Sequence, residues 1–232
     1  MQLSLANPLD VLRAGNQLER QLKEAGLSLE VSSDFRYLAD VIKQFREKTV
    51  SPMFDPEVSF LSNKNAFWMN ARNGDGKVVA IQAFRVDTVD SSLAEWAMGW
   101  MTGLYLLRNE LVTPEHLTPG SNSITWNLSG PLVYQGELWI DSHVGKRTCS
   151  AVFPRLGMLL CLMKWQPTAI WGALGKKMAS FGHPTRAGYP YTESGFMRWK
   201  HAPEGAEKNE FIIIATKSDL EFVAQQTVTK SI

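Results

Sequence analysis

The chain has 232 residues, enough to bury the core of one α/β or α+β domain. Lys plus Arg number 24 against 23 Asp plus Glu, so no overall field draws in a polyanion, and neither nucleic acid nor an anionic membrane is an expected partner. The opening residues, MQLSLANPLDVLRAG, show no basic segment followed by an apolar run, and no run of about 18 apolar residues occurs, which reads as a cytoplasmic protein.

Residues 8 to 26 and 34 to 48 carry apolar residues at helical spacing, with Gly26 as a stop and Asp34 as a cap, and predict two amphipathic helices. Asn73-Gly74-Asp75-Gly76 then separates two runs rich in Val, Ile, Phe and Trp, predicting a hairpin of 66–71 with 77–86. Residues 91 to 111 place Leu93, Trp96, Ala97, Trp100, Met101, Leu104, Leu107 and Leu111 on one helical stripe, read chiefly as core packing. VTPEHLTPGSNS is expected to be a surface connection. SITWNLS and LVYQGELWID read as strands joined at Ser129-Gly130-Pro131.

A helix from about Ser150 to Trp165 follows, then a strand in TAIWGAL, a short helix at 175–181 and an irregular HPTRAGYPY. GFMRWKH and EFIIIATKSDL predict a closing antiparallel hairpin. Cys149 and Cys161 fall on one helix, about 18 Å apart, too far for a disulfide. They do not complete a zinc set, and His116, His183 and His201 lack metal-ligand spacing, so no metal is expected.

The segment GELWIDSHVGKRTCSAVFPRLG feeds a strand through a basic loop into a helix. The first backbone N–H groups of such a helix have no intrahelical partner and carry the positive end of its dipole, which suits phosphate oxygens. Gly145 permits a tight turn, Lys146 and Arg147 add positive charge, and Thr148 and Ser150 add hydroxyls. A pyrophosphate-bearing cofactor is one tenant of the loop, and a plain solvated Lys-Arg turn is the other reading. Val144-Gly145-Lys146-Arg147-Thr148 contains GK-x-T but lacks the glycine that a phosphate-loop NTPase needs four residues earlier.

In this order of elements, in Gly145-Lys146-Arg147-Thr148-Cys149-Ser150 and in Tyr191-Thr192-Glu193-Ser194-Gly195-Phe196, the chain resembles the GNAT superfamily of acyl-CoA-dependent N-acyltransferases. The first stretch stands where that family carries Q/R-x-x-G-x-G/A, and the second matches Tyr-x-x-x-Gly-Phe. Thr148 and Ser150 stand where the family has a glycine and a small residue, so the loop is divergent. The resemblance implies a mixed, strongly twisted α/β sheet flanked by helices in a single domain over 1–232, with N-terminal helices at 8–48 and an insertion at about 87–130. It implies acetyl-CoA or another acyl-CoA as co-substrate. The implied contact stretch comprises Ile140, Asp141 and Ser142 at the strand end, His143, Val144, Gly145, Lys146 and Arg147 in the loop, and Thr148, Cys149 and Ser150 at the helix start. It also implies direct transfer of the acyl group to an amine of a small molecule or peptide.

Under that resemblance Tyr191 is the candidate acid for the departing thiolate, with Tyr189 as runner-up, and Glu137 is the candidate base on the strand; the plain readings are a half-buried tyrosine bonded to a backbone carbonyl and a solvated or capping glutamate. Alternation along the strand puts Glu137, Trp139 and Asp141 on one face and Leu138 and Ile140 on the other. His143 is a further phosphate ligand or base, or an ordinary loop histidine; Asp141 and Ser142 also read as ending the strand and capping the loop, and Cys149 at a helix start beside two cations is a less favoured nucleophile. The tryptophans at 96, 100, 126 and 139 line an apolar or aromatic acceptor pocket, accommodate a longer acyl chain or belong to the core. A catalytically silent acyltransferase fold that binds a partner through 91–130 is the competing function. If the chain forms a homodimer, the insertion or the last strand is the expected contact.

Overall fold

The computed structural model describes residues 8–116, 119–144 and 146–229, with only the backbone described for 116 and 146–148. The first helix, α1 (Pro8–Glu24), ends where Gly26 takes a left-handed φ of 78°. An unexpected edge strand, β1 (Ser28–Ser32), fills the gap before α2 (Phe35–Arg46). Asp34 caps α2 by accepting from the Tyr37 N–H at 3.0 Å, as its position before the apolar run suggested.

The hairpin forms as expected from β2 (Ala66–Arg72) and β3 (Val78–Val89). Asn73 Oδ1 closes its turn by accepting from the N–H groups of Asp75 and Lys77 at 3.1 and 2.9 Å. Helix α3 (Leu93–Leu107) starts with a reciprocal cap between Ser92 and Glu95. Leu93, Ala97 and Met101 of its stripe are buried, whereas Leu107 and Leu111 are exposed at 65% and 91% because the helix stops at Leu107. The supposed connection after it holds a four-residue strand, β4 (Thr113–His116). SITWNLS is not a strand: Ile124–Asn127 form a 3₁₀ turn, started by the Ser123 hydroxyl accepting from Thr125 N–H.

The second half runs β5 (Gly130–Ile140), α4 (Lys146–Trp165), β6 (Ala169–Gly175), α5 (Lys176–Ser180), α6 (His183–Ala187), β7 (Tyr191–His201), β8 (Asn209–Thr216) and α7 (Lys217–Thr229). Two corrections fall here. HPTRAGYPY contains a one-turn helix, because Gly182 and Gly188 take left-handed φ at its two ends and Pro184 sits in the first turn, where its missing N–H costs nothing. KSDL does not extend the last strand; Asp219 accepts from Thr216 N–H at 2.8 Å and turns the chain into α7.

All eight strands form one sheet in the order β1-β2-β3-β5-β6-β8-β7-β4, antiparallel except for the β5/β6 pair. Helices α1, α4 and α7 bury Leu18, Phe153 and Leu220 against one face. Helices α2 and α3 bury Leu38, Ile42, Ala97 and Met101 against the other. The 91–130 segment therefore supplies part of this second core through α3, with Trp96 and Trp100 stacked at 4.8 Å and Trp100 against Tyr134 at 5.4 Å. No described helix is long and apolar enough to cross a membrane.

Candidate active site in the wedge between β5 and β6

Parallel strands β5 and β6 pair only at Leu132/Ala169, Val133/Ile170 and Tyr134/Trp171. Beyond Tyr134 they part, although β5 continues to Ile140 and β6 to Gly175. On its other side β5 stays paired to β3 as far as Ile140, so the edge of β5 facing the gap presents backbone N–H and C=O groups with no strand beside them. A cavity of about 710 Å³ occupies this wedge.

A β-bulge shapes its wall. Ile81 pairs with Trp139 and Ala83 with Gly136, so Glu137 and Leu138 together oppose the single residue Gln82. Glu137 takes a left-handed φ of 54°, which a residue with a side chain adopts at a cost. Gly136 precedes it because a Cβ there would stand 2.6 Å from the Phe54 ring. The expected alternation holds locally: Glu137 and Trp139 lie toward α2, and Ile140 packs into the opposite core.

Glu137 is an ion-pair and loop-anchoring group. Its Oε2 accepts from Arg46 Nη1 at 2.8 Å and its Oε1 from Ser51 N–H at 2.8 Å. Both Glu137 and Arg46 line the cavity. At the far end of β5, Asp141 Oδ1 accepts from His143 N–H at 2.9 Å and Oδ2 from Lys77 at 3.3 Å; the His143 N–H holds its carboxyl below the usual range. Asp141 thus ends the strand and turns the chain, as its place in the sequence suggested.

Helix α4 begins at Lys146, earlier than the expected Ser150, because the turn at Asp141 to Val144 closes within four residues. Lys146, Arg147 and Thr148 therefore belong to its first turn; their side chains and all of Gly145 lie outside the described residues. Of the expected cofactor stretch, Ile140, Asp141, Ser142, Val144 and Ser150 line the cavity. His143 is exposed and lies outside its wall, as does buried Cys149. Burial pushes the Cys149 thiol up to about 11, so it is protonated at neutral pH and the nucleophile reading fails.

The two tyrosines separate. Tyr191 starts β7, is 39% exposed and is not part of the cavity wall. Tyr189 is fully buried in the wall, held by its N–H donating to Pro184 O at 2.9 Å. Its hydroxyl donates to Gln135 Oε1, Gln135 Nε2 donates to Gln82 Oε1 at 2.7 Å, and Gln82 Nε2 donates to Phe153 O at 2.7 Å. This chain of polar groups ties the approach to β7, strands β5 and β3, and helix α4 together across an otherwise apolar core. Burial raises the Tyr189 hydroxyl well above its usual value, so it keeps its proton.

Sequence reasoning missed Arg46, Gln135 and His183 as wall residues. Burial and nearby Arg186 lower the pKa of His183, leaving it a neutral imidazole at pH 7. Nothing in its surrounding sequence, GHPTR, carried that signal. Among the described residues no cluster of His, Cys, Asp and Glu could hold a metal ion.

A hairpin after two helices, a strand that leads through a short turn into a helix, and a closing antiparallel hairpin are the arrangement the sequence resemblance implied. Solved structures similar to the chain include NAA60 of Arabidopsis thaliana in complex with acetyl-CoA, at 11% identity and a TM-score of 0.48, over 82% of this chain and 98% of that one. Another is the aminoglycoside acetyltransferase AAC(6')-Ib in complex with coenzyme A and kanamycin, at 10% identity and a TM-score of 0.44, over 84% and 98%. No protein-family model matches the chain, and no curated protein does.

Proposed function

We propose that the protein is an N-acyltransferase that moves an acyl group from acyl-CoA to an amine of a small molecule or peptide. One observation carries this reading: the wedge in which β5 leaves β6 after Tyr134, opening a cavity that ends at the start of α4. The pantetheine arm of CoA is a chain with two amides, and a strand edge with unpaired N–H and C=O groups pairs with such a chain as it would with another strand. The first amides of a 20-residue helix, beside Ser142 and Val144, suit the diphosphate. The residues present thus fit the co-substrate, which supplies a thioester activated for attack.

In this reading the wedge walls exclude water and align the amine with the acyl carbon. The amine, bound as an ammonium, first loses one proton through Glu137 to water; the N–C bond then forms as the C–S bond breaks, and the second proton lost by the nitrogen makes good the one that Tyr189 gives to the departing thiolate. Tyr189, with its proton held in the wall, takes the role of donor to the sulfur in place of Tyr191, its hydroxyl turning away from Gln135. Glu137, also in the cavity wall, receives the amine, and Arg46 balances its charge.

Retention of CoA tests the reading directly. A Tm that rises with CoA concentration, together with thiol release from acetyl-CoA in the presence of amines, is expected. A Tm unmoved by CoA at millimolar concentration removes the reading and leaves the 91–130 binding module in its place.

A further inference from the structure

We infer that the acceptor is an α-amino acid with an apolar side chain, held as a zwitterion by Arg46 and Glu137; this rests on the acyltransfer reading of the wedge. Arg46 Nη1 and Glu137 Oε2 lie 2.8 Å apart, so the cavity wall presents a positive and a negative group side by side. Both are largely removed from solvent, with side-chain exposures of 18% and 8%. A desolvated ion pair adds little net stability over apolar side chains of the same volume, so folding alone does not account for one facing a cavity.

The pair keeps unused capacity. A guanidinium has five N–H groups, and among the described residues Arg46 donates only to Glu137. Among the described residues each Glu137 oxygen has one hydrogen bond, to Arg46 or to Ser51 N–H, and room for another. An α-amino acid carries its ammonium and carboxylate on a single carbon, matching two adjacent opposite charges. The ammonium would rest on Glu137 and the carboxylate on Arg46. A simple amine or an amino-acid amide satisfies one half of the pair only.

The backbone supports the same assignment. Glu137 holds a left-handed φ at a bulge, a costly conformation for a residue with a side chain, and the bulge turns that side chain toward Arg46 at the cavity wall. The neighbouring wall is Leu138, Trp139, Tyr134 and Ala173, which suits a leucine-like or aromatic side chain and disfavours an acidic one.

The probes are L-leucine, L-leucinamide and 3-methylbutylamine, the same amine with its carboxylate kept, neutralised and removed. With acetyl-CoA as donor, kcat/KM for L-leucine is expected to exceed that for either analogue by about ten- to a hundredfold, the range of a charge-assisted hydrogen bond. Arg46→Met and Arg46→Lys should both lower the ratio of leucine to leucinamide, with Lys retaining part of it, an effect that general loosening of the fold would not produce. Calorimetric titration of L-leucine into the protein, with and without CoA, reads the same subsite without turnover, and binding that weakens in Arg46→Met supports the inference. Analogues equal to leucine, or no leucine binding in either titration, overturn it while a CoA-dependent Tm still upholds the acyltransfer reading. Leucine binding without any CoA effect would uphold the subsite and remove acyl-CoA as its donor.

Discussion

Tyr189 and Tyr191 stand two residues apart and face different surroundings, one fully buried in the cavity wall and one at the surface. Tyr189→Phe is therefore expected to lower kcat by about 10²-fold or more, the usual worth of a positioned proton donor, while CoA still raises Tm. Tyr191→Phe should change kcat by less than about twofold by the same reasoning, and steady-state kinetics on the pair of variants separates the two residues. Glu210 offers a check on stability. Its carboxylate accepts from Trp199 Nε1 at 2.9 Å, yet burial, helped by Glu207 nearby, leaves its pKa raised. A raised carboxyl favours the fold only while protonated, so its benefit is present below the usual carboxylate range and is lost as pH rises through the folded value. Glu210→Gln keeps an acceptor for Trp199 without that cost. The variant should melt above the parent at pH 7, with the gap closing toward pH 4, in paired thermal scans. Which tyrosine reaches the cavity was not legible in YPY, because it depends on α6, a single turn set by Gly182 and Gly188 within a segment that reads as irregular.

At the scale of elements, long periodic segments were legible and short ones were not. The cap at Asp34, the Asn73 turn and the apolar runs of β6 and β8 each act locally, and each formed. Strand β1 has five residues and β4 has four; both are edges defined by the partner they pair with rather than by their own pattern. The bulge in β5 was hidden for a related reason: it is a mismatch with β3, and a mismatch belongs to two strands. Helix α4 meets β3 at Gly157, where a Cβ would stand 2.6 Å from Gln82 Nε2 and from the Phe84 ring. Gly157→Ala should accordingly cost about 1–3 kcal/mol, the usual range for overpacking a filled core, despite alanine's better helix propensity. A lower urea midpoint at unchanged slope would show it. Since Gln82 is the last side chain in the chain of groups from Tyr189, the same variant should also lower kcat.

Across the whole molecule, the wedge joins segments that the sequence keeps far apart. Arg46 and Glu137 are 91 residues apart, and no periodicity links them. The sequence pointed to the strand, the turn at Asp141 and the helix after it, because these adjoin along the chain. It did not point to the opposite wall, which comes from α2, β6 and α6. A ligand that fills the wedge bridges the β1-β2-β3-β5 half of the sheet and the β6-β8-β7-β4 half, which among strands are joined by three residue pairs alone. Binding to the folded state only, at a concentration 100 times its Kd, adds about 2.7 kcal/mol, or roughly 5–10 °C in Tm for a domain of this size. CoA should give this shift, and dephospho-CoA and pantetheine should divide it: pantetheine reports on the β5 edge, and the increment from pantetheine to dephospho-CoA reports on the start of α4. Hydrogen exchange provides the spatial counterpart, with amides of 136–140 expected to slow on CoA binding. Protection confined to α7, which contributes no residue to the cavity wall, would show that CoA binds elsewhere.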